Sequence, residues 1–260
     1  MVRRIAIEAG DITLKYLEEI DGMEVDVKAD NSPVTRADRE AEIHIQGALE
    51  KLTPNILVIG EEAASLDKLP ALKNAEYFWI VDPLDGTKEY IAGGGDYTVN
   101  IALIRNGEPI LGVVYAPYIG HLYAAHGVGT AVKWIQDTDK EKPVSVRAVP
   151  KFGMTVVASK SHGDKARLDA FLEAFKIEKL VKRGSSLKIC IIAEGKADMY
   201  PRFGPTCEWD TAAGDAVLRA AGGTITDIDG QPLKYGGADP KFLNPEFIAC
   251  SYKWFEEEAA

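Results

Sequence analysis

The chain has 260 residues, 46% of them hydrophobic, which is enough to bury a large core within one domain or two closely packed ones. Its formal net charge of −10 argues against a protein that binds nucleic-acid polymers or anionic membrane surfaces, because these partners are themselves anionic. A small anionic substrate is compatible with this charge if a metal ion screens it.

The sequence also indicates where the protein works. No stretch approaches the roughly 18 uninterrupted apolar residues of a membrane-spanning helix, so no integral membrane segment is expected. Residues 1–10 lack the apolar run and cleavage site of a signal peptide. We expect a cytoplasmic protein, and peripheral association with the cytoplasmic face of the inner membrane is compatible with that. The three cysteines are widely spaced and form no CxxC pair, which predicts free thiols.

Two amphipathic helices are predicted at the start of the chain. Apolar residues recur at helical spacing from Ile5 onward, and Gly22 is a candidate C-terminal cap of this first helix. Thr35 and Asp38 have the spacing of a capping box, which predicts the start of a second helix that reaches Leu52.

Short β-branched runs and further helical patterns follow. In the first half, strands are predicted at residues 56–59, 77–81, 97–104, 110–115 and 122–125, with a hairpin turn at Asn106-Gly107. In the second half, strands near 155–158, 180 and 198–201 alternate with helices at about 164–175, from Ser186, and from Asp210 to Gly222-Gly223. This alternation predicts helices layered on a sheet.

A division of the chain is predicted at its most polar interruption, residues 137–143. We expect an N-terminal α+β half of residues 1–140 and a C-terminal α/β half of residues 141–260. The two halves are expected to form one compact unit.

Acidic residues stand where predicted elements begin or end: Glu61 and Glu62, Asp82 and Asp85, and Asp210. Between Asp82 and Thr87, proline fixes φ and glycine permits a tight turn, so two carboxylates and the Leu84 carbonyl can converge. Oxygen ligands of this kind suit Mg²⁺. Three or four carboxylates also suit more than one ion.

Each acidic residue has a purely local explanation as well. Asp210 can be an N-cap, Asp38 the partner of Thr35 in the capping box, and Asp85-Gly86 an ordinary turn. Glu61-Glu62 can be a solvated loop end. Because adjacent side chains of an extended segment point to opposite sides, we expect at most one of these two glutamates to be a direct ligand.

Two segments resemble the motifs of a known family. Residues 78–91 (FWIVDPLDGTKEYI) resemble the central motif of the inositol monophosphatase superfamily, and residues 208–214 (EWDTAAG) resemble its second motif. Residues 28–35, 184–188 and 200–206 further resemble its bacterial 3'(2'),5'-bisphosphate nucleotidases. The resemblance runs over nearly the whole chain. It implies an α+β fold, a layered αβαβα sandwich of the inositol monophosphatase and sugar phosphatase type, with a metal site between the halves.

The resemblance also implies roles for individual residues. The expected magnesium ligands are Glu61, Asp82, Leu84 (through its carbonyl), Asp85 and Asp210. Glu61 and Thr87 are expected to position the attacking water, and Asp38 to orient Thr87. The expected substrate-binding residues are Glu61, Leu84, Asp85, Gly86, Thr87, His162, Ser186, Lys188, Arg202 and Asp210.

The last part of the substrate-binding set concerns a second phosphate. A nucleotide bisphosphate carries a phosphate remote from the metals, and this group needs donors of its own. By the resemblance His162, Ser186, Lys188 and Arg202 occupy the matching positions. The alternatives are that Lys188 and Arg202 are ordinary surface charges and that His162 is a loop histidine.

The function implied is magnesium-dependent hydrolysis of the 3'-phosphate of adenosine 3',5'-bisphosphate to AMP, by a water activated by two or three metal ions, in sulfate assimilation. The sulfated precursor is a second candidate substrate. One alternative is an inositol monophosphatase or a broad sugar-phosphate phosphatase of the same fold. Another is a metal- or anion-binding module without catalysis. Relatives are often homodimers, so a homodimer is compatible with the resemblance.

Overall fold

The computed structural model describes residues 1–18, 25–27, 33–65, 72, 75–160, 164–237, 239, 241–252 and 254. Gly22, His162 and most of the segment 28–35 lie outside these ranges. Their predicted roles therefore stay predictions.

The described residues form seven α-helices: α1 (Val2–Glu18), α2 (Arg36–Leu52), α3 (Glu61–Ser65), α4 (Thr87–Ile91), α5 (Lys165–Leu172), α6 (Leu187–Ala193) and α7 (Glu208–Ala220). None of the helices in this part of the chain has the length and apolar character that crossing a bilayer requires.

The described residues also form fourteen strands in three sheets. A small antiparallel pair consists of β1 (Val25–Val27) and β2 (Pro33–Thr35). A seven-stranded sheet follows the chain in the order β3 (Leu57–Gly60), β4 (Tyr77–Asp85), β5 (Thr98–Arg105), β6 (Glu108–Ala116), β7 (His121–Ala125), β8 (Val132–Ile135) and β9 (Lys140–Pro143). A five-stranded sheet has the order β11 (Ile177–Arg183), β10 (Met154–Ser159), β12 (Met199–Arg202), β14 (Phe247–Cys250) and β13 (Thr224–Asp227).

The two N-terminal helices cover one face of the seven-stranded sheet. Ile5 of α1 and Ile45 of α2 are buried in one cluster with Trp79 and Tyr115 of the sheet. The predicted capping box of α2 is confirmed, because Thr35 and Asp38 exchange hydrogen bonds at its N-terminus. The capping box therefore positions Asp38 at a fixed helix start.

The opposite face of this sheet packs on α6 and α7, which lie between the two large sheets. Ile189 of α6 and Val217 of α7 share a buried cluster with Ile80 of the seven-stranded sheet and Phe247 of the five-stranded sheet. An added Cβ at Gly112 of β6 would overlap the α7 backbone, so this helix lies very close to the sheet. Close packing of this kind fixes the helix position.

The outer face of the five-stranded sheet packs on α5. Val156, Met199 and Ile248 are buried there, with Phe171 of α5 packed against them. The layers therefore run α1 and α2, seven-stranded sheet, α6 and α7, five-stranded sheet, α5. This arrangement confirms the predicted α+β fold as an αβαβα sandwich.

Several sequence-based boundaries are corrected by the structure. The predicted start of the last helix at Asp210 is wrong, because α7 begins at Glu208 with Cys207 as its N-cap and Asp210 in its first turn. The polar segment 137–143 is an interruption only in part, since Lys140–Pro143 forms the exposed edge strand β9. The predicted hairpin is confirmed, with φ of 50° at Asn106 and 78° at Gly107. The division of the chain at residue 140 stays a prediction.

Candidate active site

Three carboxylates converge at the junction of the seven-stranded sheet and α7. One oxygen each of Asp82, Asp85 and Asp210 lies within 4.8 Å of the others. Asp82 and Asp85 come from β4, and Asp210 comes from the first turn of α7. Three of the predicted metal ligands are thus brought together from positions 128 residues apart in the sequence (210 − 82).

A β-bulge explains why both β4 aspartates reach this point. Asp82 pairs with Asn100 and Asp85 pairs with Thr98, so three residue steps on β4 oppose two on β5. Without the extra residue, side chains three apart would point to opposite faces of the sheet. The Leu84 amide donates to the Asp82 carboxylate at 2.9 Å, which holds the bulge.

The chain turns sharply after the bulge. Gly86 has φ of 98°, and a Cβ there would lie 2.9 Å from the carbonyl oxygen of Asp96. Only glycine accommodates both demands. This turn leads into α4, whose first residue, Thr87, lies with its hydroxyl 3.2 Å from the Leu84 carbonyl of the bulge.

Asp38 and Thr87 are brought together as the sequence predicted. The buried Asp38 carboxylate accepts hydrogen bonds from the amide and hydroxyl of Thr35 at 2.8 and 2.6 Å. Its other oxygen lies 3.2 Å from the Thr87 hydroxyl, which is also 3.2 Å from the Leu84 carbonyl. One aspartate thus caps α2 and accepts a hydrogen bond from a threonine beside the acidic cluster.

Glu61 lies near the cluster without being one of its three members. It is the first residue of α3, and its charge is among the causes that raise the pKa values of Asp82 and Asp210. Its neighbour Glu62 is buried. Of the two adjacent glutamates, Glu61 is the one whose charge contributes to these raised pKa values.

Glu42 is a residue that sequence reasoning missed. Its buried carboxylate accepts hydrogen bonds from the amides of Glu62 and Ala63, both at 2.8 Å. A negative charge at the first turn of α3 satisfies amides that have no partner within the helix. Glu42 therefore fixes the short helix that carries Glu61.

The electrostatics of the cluster favour a bound cation. Burial is the main cause that raises the pKa of Asp82 well above its usual range, and the neighbouring carboxylates raise it further. The pKa of Asp210 is raised well above its usual range for the same reasons. Converging carboxylates that repel one another in a buried site fit an oxygen-ligated divalent cation, whose charge offsets both costs.

Ser186 contacts the cluster directly. Its amide and its hydroxyl lie 2.6 and 2.7 Å from the same Asp85 oxygen. The hydroxyl also lies 2.9 Å from the Asp210 carbonyl and accepts a hydrogen bond of 2.7 Å from Asn100. The predicted substrate-binding role of Ser186 stays a prediction.

Lys188 and Arg202 are buried next to the cluster, with 6% and 7% of their surface exposed. The alternative that they are ordinary surface charges is therefore wrong. The Lys188 ammonium group donates to the Ser185 carbonyl at 2.6 Å and lies 5.2 Å from the centre of the Tyr200 ring. Burial lowers the pKa of Lys188 to about 8; the Asp85 charge opposes this shift and the Arg202 charge adds to it.

A cleft of about 200 Å³ adjoins Arg202. Its lining combines Ser159, Lys160 and Lys182 with apolar groups such as Phe203. Such a mixture can bind a molecule that has both an apolar body and negative charge.

Known proteins are similar to this chain in sequence and in fold. The model of the inositol monophosphatase family matches residues 2–259. The 3'(2'),5'-bisphosphate nucleotidase CysQ of Escherichia coli strain K12 is 45% identical over 252 residues, covering 96% of this chain and 98% of the relative. The crystal structure of CysQ from Bacteroides thetaiotaomicron has a TM-score of 0.80 and 36% identity, and the match covers 97% of each chain.

The similarity extends to more distant members. The extragenic suppressor protein suhB from Bartonella henselae has a TM-score of 0.77 and 25% identity, covering 95% of this chain and 91% of that one. The family model and the 45% identical relative each span almost the full length of the chain. The chain therefore belongs to the inositol monophosphatase family, whose enzymes are metal-dependent.

Proposed function

We propose that this protein is a magnesium-dependent 3'(2'),5'-bisphosphate nucleotidase that converts adenosine 3',5'-bisphosphate to AMP. The observation that carries the proposal is the pair of buried cations, Lys188 and Arg202, beside the three converging carboxylates. The carboxylates suit a metal at which one phosphate is cleaved, and the two cations suit a second phosphate that is only bound. Curated relatives bear the name of this activity.

The metal would be held by Asp82, Asp85 and Asp210, with Glu61 and the Leu84 carbonyl as further ligands. Magnesium is the cation we propose, because it takes oxygen donors and leaves coordination positions to substrate phosphate. When bound, it supplies positive charge opposite the phosphoryl oxygens and lowers the pKa of an attacking water.

Thr87 would orient that water. Its hydroxyl proton lies within reach of Asp38 and of the Leu84 carbonyl. With its single proton donated, the Thr87 oxygen keeps lone pairs that can accept a hydrogen bond from the water. Glu61, on the rigidly capped α3, would accept a second hydrogen bond from it. The amides of Gly86, Thr87 and Lys88 would donate to the scissile phosphate.

The second phosphate would lie against Lys188 and Arg202, with His162 as a further donor. Two like charges buried close together are costly, and an anion between them offsets that cost. A substrate that lacks this phosphate cannot make these contacts with Lys188 and Arg202, which favours the bisphosphate over a monophosphate. The cleft beside Arg202 is the place we propose for the nucleoside.

Steady-state kinetics on three substrates tests the proposal. For Lys188→Ala and Arg202→Ala, we expect kcat/KM for adenosine 3',5'-bisphosphate to fall roughly 10- to 100-fold, since a hydrogen bond to a charged group contributes about 1.5–3 kcal/mol. The rates on 3'-AMP and inositol 1-phosphate should change little. Lys142→Ala, at an exposed lysine of the edge strand β9, is the matched control.

Two outcomes would reject the assignment. Equal losses on all three substrates would remove the basis for a second phosphate site. A wild-type preference for inositol 1-phosphate would favour the inositol monophosphatase alternative.

We also propose a cytoplasmic location and a homodimer. Within the described residues, no disulfide joins the three cysteines, which agrees with a reducing compartment. The homodimer is proposed by analogy with the family, and light scattering of the purified protein tests it. Activity on the sulfated precursor is a further part of the proposal, tested in the same substrate panel.

A further inference from the structure

Asn100 is a buried polar residue that lies behind the acidic cluster. It stands in β5, directly opposite Asp82 of β4, and 1% of its surface is exposed. Its side-chain amide donates to the Ser186 hydroxyl at 2.7 Å. Asn100 therefore links the seven-stranded sheet to the residue that precedes α6.

The bond from Asn100 determines what the Ser186 hydroxyl can do. A hydroxyl has one proton to donate, and here it accepts an N–H from Asn100. Its own proton is then free for Asp85 at 2.7 Å or for the Asp210 carbonyl at 2.9 Å. When the Asp85 carboxylate is ionised, it is the stronger acceptor of the two.

Asp85 is held through one of its oxygens. The amide and the hydroxyl of Ser186 both reach Oδ2, at 2.6 and 2.7 Å. Two bonds to one oxygen fix the rotation of the carboxylate, and they leave Oδ1 without a hydrogen bond from the described residues. A carboxylate held in this way is preorganised to present its other oxygen to a ligand.

Stability alone does not explain an asparagine at this position. The Asn100 carbonyl oxygen is buried and has no hydrogen-bond partner among the described groups. Burying such an oxygen costs about 1–3 kcal/mol, a cost that a leucine of similar size would not carry. The hydrogen bond that its side-chain amide donates to Ser186 explains why an asparagine stands here.

We propose that Asn100 and Ser186 form a positioning pair that orients the Asp85 carboxylate toward Asp82 and Asp210. Both residues then act on metal affinity through Asp85, and neither acts by touching the substrate. The inference rests on the proposed function in that it takes Asp85 as a metal ligand. It gives Ser186 a role different from the phosphate contact that the sequence predicted.

Calorimetric titration of the substrate-free protein with MgCl₂ tests the pair without relying on activity. We expect Asn100→Leu and Ser186→Ala each to raise the Kd for Mg²⁺ about tenfold or more, since loss of a residue that orients a ligand typically costs 10- to 100-fold. The Kd for Mg²⁺ of the double variant should not exceed the higher Kd of the two single variants, because the two residues form one chain of hydrogen bonds.

Two controls separate positioning from folding. Urea unfolding in the presence of a chelator should show Asn100→Leu to be at least as stable as the wild type. Ser251→Ala removes a buried hydroxyl that has no partner among the described groups, and it should leave the Kd for Mg²⁺ unchanged.

Three results would overturn the inference. These are a wild-type Kd for Mg²⁺ in both single variants, independent effects that multiply in the double variant, or a higher KM for the bisphosphate alone in Ser186→Ala at unchanged metal affinity. If the wild type fails to hydrolyse the bisphosphate, the proposed function is lost, whereas the metal titrations still decide the role of the pair.

Discussion

Gly60 has no side chain, and the Glu42 carboxylate occupies the space beside it. Because Glu42 caps α3, this space also determines the position of Glu61. Gly60 is the last residue of β3, directly before α3. A Cβ at this position would lie 2.5 Å from the carboxyl carbon of Glu42 and 2.6 Å from both of its oxygens. Gly60→Ala therefore displaces the Glu42 carboxylate from the amides of Glu62 and Ala63.

The size of the effect follows from the bonds that are lost. Two hydrogen bonds to a charged acceptor contribute about 3–6 kcal/mol together. Rotation of the flexible Glu42 side chain relieves the overlap, so the lost bonds and not a rigid clash set the cost. The first turn of α3 then loses its cap, and Glu61 shifts with it. Misplacement of a catalytic group by about 1 Å can lower the rate roughly a hundredfold.

The assay pairs urea unfolding with kcat measured at saturating Mg²⁺. We expect Gly60→Ala to lose several kcal/mol of unfolding free energy and most of its kcat. Gly47→Ala is the matched control, because nothing lies within 4 Å of a Cβ there. In the interior of α2 this change should stabilise the protein by about 0.5–1 kcal/mol. A Gly60→Ala enzyme with wild-type kcat and stability would refute the reasoning.

Further predictions concern charge and protonation. Burial lowers the pKa of Lys188 to about 8, so this residue is cationic below that pH and neutral above it. We therefore expect kcat/KM for the bisphosphate to fall above about pH 8, whereas kcat/KM for 3'-AMP should not fall. The raised pKa of Asp82 means that ionising it costs stability in the folded state, so the metal-free protein should lose stability as pH rises above about 4. Asp82→Asn should reduce that loss and stabilise the chelator-treated protein, while activity disappears; a lower melting temperature than wild type would contradict this. Asp38→Asn places an amide against the hydroxyl donors of Thr35 and Thr87. It should therefore lower the free energy of unfolding by about 1–3 kcal/mol and also lower kcat. The Kd for Mg²⁺ in calorimetric titration should not change.

Much of the fold was predictable because its signals are local. Helical spacing identified α1 and α2, the Thr35 and Asp38 pair identified a helix start, and Asn106-Gly107 identified a hairpin. The convergence of Asp82 and Asp85 was also predictable, since the proline of the bulge and the glycine of the turn after it lie within the same six residues. These features depend on neighbours in sequence.

What sequence reasoning missed depends on remote partners. The strands β13 and β14 are four residues each, and their pairing is decided by the sheet that they join. Asn100 acquires its role from a bond to a residue 86 positions away. Glu42 resembles any polar residue of an amphipathic helix until α3 is placed against it. The burial of Lys188 and Arg202 likewise comes from packing, which no local pattern reports.

The sandwich places its acidic residues on two different layers, with consequences for cooperativity. Asp82 and Asp85 belong to a sheet, whereas Asp210 belongs to α7, which is enclosed between both sheets. With the proposed cation bound to these residues, any partial opening that separates α7 from β4 would forfeit its binding energy as well as the apolar contacts. Cation concentration therefore enters the local opening equilibrium, and chelation should speed proteolysis within this central layer before global unfolding begins.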